Sequence, residues 1–153
     1  MGHRMSVLLH TNTKMTLCEE GLLICPISCQ PMMMVNYPIP DFRKMDPISY
    51  GHMMGKVVKD GIKKGQLIFS DSNASEKILW FPMHKAYNVH YKLDWIEDGL
   101  KTMAKNRLHD KYEINFPAIG YYEEDGVSQE DVLELVIEYL SDGKFDVKYI
   151  THY

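Results

Sequence analysis

A strand that runs through a short loop directly into a helix is the joint from which α/β domains are assembled. This chain carries one at Ile114–Asn115–Phe116–Pro117–Ala118–Ile119–Gly120. A loop of six residues, Tyr121 to Gly126, leads from it to Ser128–Gln129–Glu130–Asp131–Val132. Val132, Leu135, Val136, Tyr139 and Leu140 then recur at helical spacing, and Ser128 with Asp131 three residues on is a variant of the capping box. Such a joint aims backbone N–H groups and the positive end of a helix at the space above a sheet, which is the physics of an anion or phosphate site. Most such joints bind nothing, so the segment constrains the fold more than the function.

The remaining chain repeats the alternation. Val7–Leu8–Leu9 suits a first strand, and Leu22–Leu23–Ile24–Cys25–Pro26–Ile27 is a continuous apolar run of the kind covered on both faces. Pro26 marks that strand as ending or distorted there. From Gln30 to Asp46 no periodicity is visible, and Pro31, Pro38 and Pro40 interrupt the chain, so a long irregular loop is expected. Asp46–Pro47 opens a helix well. Tyr50, Met53, Met54, Val57 and Val58 form its apolar stripe, and Gly61 suits its end. Gln66–Phe69 and Lys77–Phe81 read as strands around a turn at Ser70–Asn73. A helix from about Tyr91 to Asn106 presents Leu93, Ile96, Leu100 and Met103. Gly143 closes the helix that starts at Ser128, and Phe145–Ile150 alternates as a final strand. The pattern predicts one α/β domain over 1–153, a three-layer α/β/α sandwich around a mixed sheet of about six strands. Residues 1–5 are expected to be disordered or an expression remnant, with Met5 the natural start. Ligands of such sheets lie beyond the carboxyl ends of strands, which here means the loops after Ile27 and Ile119.

Composition removes several classes. A net charge of -4 without a basic cluster argues against direct nucleic-acid binding through phosphates. No apolar run is long enough to span a membrane, and no signal peptide is expected. Cys18, Cys25 and Cys29 are odd in number and bunched, which points to free thiols and a cytoplasmic protein. No metal site is expected, because Cys25 and Cys29 lack a second Cys/His pair and the seven histidines are scattered. Met32–Met33–Met34 and Met53–Met54 suggest adaptable apolar surface or core.

Four segments in order carry a resemblance. Ile24–Cys25–Pro26–Ile27–Ser28–Cys29 lies where macro domains, the ADP-ribose-binding α/β/α modules, have a strand ending in V-N-x-x-N-C. Phe81–Pro82 followed by Leu93–Asp94–Trp95–Ile96–Glu97–Asp98–Gly99–Leu100 is similar to FPT…L-E-x-I-x-x-G-L of the antitoxin-type branch, which removes ADP-ribose from nucleic acid. Phe116–Gly120 with Gly126–Val132 is similar to its P-P-L-G-x-G…G-L-x-W-x-x-V loop and helix. Asn12 falls where an early Asp or Asn of the family contacts adenine. The chain departs from the family at Ser28, where the distal-ribose asparagine would stand, and at Gln30–Pro31–Met32–Met33–Met34, where a glycine-rich loop would follow. An alternative register assigns that glycine-rich role to Gly51–His52–Met53–Met54–Gly55–Lys56. Glu123, Glu124 and Asp125 stand in the second loop, and each like-charge approach to a diphosphate at about 4 Å costs on the order of 4 kcal/mol near a protein surface.

The resemblance implies binding of ADP-ribose or a related nucleotide, without cofactor or metal. It also implies hydrolysis of ADP-ribosyl linkages or of ADP-ribose 1''-phosphate by positioning of the distal ribose and a water. Ser28, Asp125 and His84 are the candidate catalytic residues. Asn12, Ser28, Cys29, Gln30, Gly120, Tyr121, Tyr122 and Gly126 are the candidate ligand-binding residues. The expected partner is ADP-ribose or an ADP-ribosylated substrate, in a phage or bacterial setting and in the host cytoplasm if viral. A protein partner at the Met-rich loop 30–40 belongs to the alternative reading, a non-catalytic binding or interaction module with a vestigial nucleotide cleft.

Overall fold

The computed structural model describes residues 7–18, 20–29, 38–70, 77–84 and 90–152, with the backbone alone for 7–13 and 70. Six strands form one sheet: β1 (Val7–Lys14), β2 (Leu22–Ser28), β3 (Ile68–Ser70), β4 (Lys77–His84), β5 (Ile114–Pro117) and β6 (Val147–His152). Four helices connect them: α1 (Ile39–Met45), α2 (Pro47–Asp60), α3 (Leu93–Lys105) and α4 (Gln129–Leu140). The strand order is β1-β6-β5-β2-β4-β3, parallel throughout except that β3 runs antiparallel to β4. Right-handed crossovers set the layers. The β2-to-β4 connection moves one way along the sheet and carries α1 and α2. The β4-to-β5 and β5-to-β6 connections move the other way, placing α3 and α4 together on the opposite face, where they pack on each other.

The residues of β2 and β4 explain why these strands are central. Every position of β2 is buried, as are Ile78 to Met83 of β4. Strands covered on both faces must be apolar throughout. On one face Phe42 of α1 and Tyr50 of α2 meet the Trp80 ring edge-on at 6.1 and 6.3 Å between centroids. Ser49 of α2, itself buried, accepts the Trp80 indole N–H at 2.9 Å, so the largest core side chain leaves no polar atom unpaired. On the other face Phe81, Phe116 and Tyr149 form a row across β4, β5 and β6. Gly99 lets α3 sit on the Phe81 ring, where a Cβ would come within 2.1 Å of Cζ.

Several expectations change. The irregular loop drawn over Gln30–Asp46 contains α1, because Pro38 and Pro40 lie at its N-cap and first turn, where a missing N–H costs nothing. Asp46 caps α2 as expected, accepting Ser49 N–H at 3.0 Å. The apolar stripe of α2 is centred on Ser49, Met53 and Val57, and Val58 is exposed. The third strand is shorter and later than expected, at Ile68–Ser70, and the last is Val147–His152. Ser128 is the N-cap of α4 by backbone only, with no side-chain bond. Gly143 lies beyond the end of α4 and allows the chain to pass against His109, whose carbonyl would be 2.4 Å from a Cβ there.

Pro26 does not end β2. It pairs in register with Phe81, and β2 follows β4 to Ser28 with a shift after Ile27. On the other side, pairing with β5 stops at Leu23–Asn115. Proline has no N–H to give a ladder, and β2 parts from β5 before reaching it.

Candidate functional site

The parting of β2 from β5 coincides with the topological switch. From β2 the chain turns toward β4, and from β5 it turns toward β6, so connections leave adjacent strands in opposite directions. Crevices beyond the carboxyl ends of strands at such a point are where open α/β sheets hold ligands. The carboxyl ends of β2 and β5, from which the two loops singled out in the sequence leave, are therefore neighbours.

Ser28 and Cys29 form the β2 side. Ser28 is buried and lies in register with His84 at the end of β4, and the Cys29 N–H donates to the His84 carbonyl at 3.4 Å. The His84 ring packs on Tyr91 at 4.1 Å between centroids. Tyr91 in turn reaches the far loop, its N–H donating to the Asp125 carbonyl at 2.9 Å. His84 and Tyr91 thus link the end of β2 to the loop after β5, and His90 reinforces the link with Nδ1 3.2 Å from the Glu124 carbonyl. Sequence reasoning gives no role to His90 and reads Tyr91 only as a helix start. Their partners lie more than thirty residues away in the chain, and no local pattern signals such a contact.

The β5 side is a closed turn. Ile119 N–H donates to the Pro117 carbonyl, Tyr121 N–H to Ala118, Asp125 N–H to Tyr122 and Gly126 N–H to Glu123, at 2.8 to 3.2 Å. Asp125 is buried, and its Oδ2 accepts the Gly120 N–H at 2.9 Å. Glu123 and Glu124 are exposed, so two of the three loop carboxylates point to solvent while the third turns in. Beneath the loop, the Tyr149 hydroxyl donates to the Ile119 carbonyl at 3.3 Å. Burial, with the Asp125 charge adding to it, holds that hydroxyl far above the usual tyrosine range. Gly120 and Gly126 both have positive φ, of 94° and 77°, and a Cβ would strike the start of α4 from the first and the His90 ring from the second. These glycines are needed by the turn itself.

Tyr121 and Tyr122 meet edge-on at 5.0 Å between centroids. Tyr122 tips its hydroxyl inward to the Thr151 carbonyl of β6 at 3.2 Å, and Tyr121 is 47% exposed. Asn12 lies on β1, at the sheet edge and three strands from β2, which at strand spacing is about 14 Å. Gln30, the triple-methionine segment, Tyr37 and Lys85 lie outside the described residues. The alternative register through Gly51–Lys56 is overturned, because those residues form the middle turns of α2 with Met53 in the core. Among the described residues no group of three or more His, Cys, Asp or Glu is arranged to hold a metal, and no helix is long and apolar enough to cross a membrane.

No family model and no curated protein matches this sequence. Solved structures do match in three dimensions. The macrodomain of Thermus aquaticus DarG superposes with a TM-score of 0.78 at 15% identity, covering 94% of this chain and 97% of that one. The Thermosipho africanus DarTG structure, in complex with ADP-ribose, gives 0.78 at 17% identity over 94% of this chain and 41% of the longer DarTG chain. A macrodomain protein from Streptomyces coelicolor gives 0.76 at 11% identity, covering 96% and 99%. With this strand order, this switch point and these matches over nearly its whole length, the chain has the macro-domain fold.

Proposed function

We propose that this protein binds ADP-ribose, or a close nucleotide relative, in the crevice between the carboxyl ends of β2 and β5. The observation that carries the reading is the early parting of β2 from β5 at the switch point, between two loops that the sequence sets apart. The Thermosipho africanus DarTG structure, which shares the fold, is a complex with ADP-ribose. In this reading Ser28, Cys29 and His84 face the distal ribose, Gly126 and the Tyr121–Tyr122 pair face the diphosphate and proximal ribose, and Asn12 serves the adenine end. Turnover, if present, would hydrolyse an ADP-ribosyl linkage or ADP-ribose 1''-phosphate by holding the ribose and a water in line, a mechanism of positioning that needs no covalent intermediate. Three free thiols, two of them buried, support a reducing compartment such as the cytoplasm.

One observation favours binding without turnover. The Gly120 N–H, which the resemblance assigns to a phosphate, is already occupied by the protein's own Asp125 carboxylate. A loop satisfied from within offers fewer oriented donors for a developing charge. Calorimetric titration with ADP-ribose, with nucleotide release followed by chromatography, separates the readings. Heat with no product over hours leaves a binding module, and heat with product gives a hydrolase. No heat and no thermal shift at millimolar ADP-ribose refutes both.

A further inference from the structure

A second concave site lies away from the crevice. Ile62, Lys63 and Lys64 of the α2–β3 connection, with Lys92, Asp94 and Trp95 at the opening of α3, line a surface cavity of about 620 Å³. Small-molecule sites span roughly 300–1,000 Å³. None of its lining residues belongs to the loops after β2 or β5. Three of them lie on the connection that leads to β3, the edge strand two places from β2.

The charges of this cavity are unevenly matched. Asp94 and Asp98 both gather on Lys64, at 3.4 and 3.7 Å. Lys63 and Lys92 form no ion pair among the described residues, although each lines the same hollow. Ile62 is buried and Trp95 is half-buried, so part of the indole side chain remains accessible. Cationic points beside an aromatic plane suit a ligand that has both a phosphate and a planar ring. The ammonium groups meet the phosphate, and the indole stacks on the ring.

We propose that this cavity is a second nucleotide site, taking a nucleoside monophosphate with its base on Trp95 and its phosphate between Lys63 and Lys92. The reading is independent of the crevice and stands or falls without it. The protein carries its own reporter, since it has two tryptophans and the other, Trp80, is fully buried. Titrating the intact protein with uridine monophosphate should quench the accessible tryptophan saturably in the millimolar range. Lys63→Glu with Lys92→Glu should weaken that binding at least about tenfold, with circular dichroism unchanged. In Trp95→Phe, the remaining Trp80 emission should not respond. The proposal is overturned if no saturable quench occurs, if the lysine pair can be reversed without effect, or if Trp80 alone reports the ligand. It is also overturned if uridine lacking phosphate quenches equally well.

Discussion

Gly99→Ala is expected to destabilise the protein even though alanine favours helices. In an exposed helix interior the change would gain about 1 kcal/mol. Here the new methyl would lie 2.1 Å from Cζ and 2.3 Å from Cε1 of Phe81, whereas carbon atoms rest about 3.5–4.0 Å apart. The ring cannot swing clear, because it is fully buried and meets Phe116 edge-on at 5.9 Å. Relief therefore requires α3 to lift from β4. Overpacking of this kind costs about 1–3 kcal/mol and occasionally more, and an overlap well beyond 1 Å with a fixed ring belongs at the upper end. After the helical gain, the net loss is about 2 kcal/mol, which lowers Tm by about 4–8 °C for a chain of this size. Thermal and urea melts measure it. In a Phe81→Leu background the same change should cost at least about 1 kcal/mol less, since the two side chains share one space. A Gly99→Ala protein as stable as the parent would refute the seating of α3 on Phe81.

Removing the internal acceptor with Asp125→Ala should cost about 1–3 kcal/mol in urea melts by orphaning the Gly120 N–H, and Asp125→Asn, which keeps an acceptor, should cost less. Arg107 donates to Asp110 at 2.7 Å and to Asp142 at 3.1 Å, and these bonds hold both carboxyls below the usual range. A lowered folded pKa contributes stability above the unfolded value and loses it as pH falls through the folded one. The Tm difference between the parent and Arg107→Ala should accordingly be largest near neutral pH and shrink as the carboxyls protonate below about pH 4. A thiol reagent should modify half-buried Cys29 first in the native protein. Cys18 and Cys25 are buried and their thiols are raised by burial, so they should react only on unfolding; three thiols reacting at one rate would contradict this packing.

Legibility in the sequence follows the range of the interactions involved. The joint at Ile114–Val132, the capped start of α2 and the apolar runs of β2 and β4 are readable, because burial on two faces and helix capping are written in neighbouring residues. Helix α1 is not, because its prolines look like breakers until their place in the first turn is known. The spacing of Ser128 and Asp131 predicts a side-chain cap on α4. The loop instead finds its acceptor in Asp125, which reaches back five residues to Gly120. The two glycines of that loop stand out in the sequence, yet the structure gives them a demand of their own, since Gly120 meets α4 and Gly126 meets His90.

The alternation of strands and helices, and hence a layered α/β domain, follows from the residue order alone, because the periodicities of burial and capping act within a few residues. Three-dimensional packing was needed to make β2 and β5 neighbours that part at the switch point, and to join the banks of one crevice through His84, Tyr91 and Asp125. It also brings Lys63 and Lys92 to one hollow with Trp95. Those arrangements depend on crossover direction and on long-range contacts such as Cys29 with His84 and Tyr91 with Asp125, and no local preference encodes them.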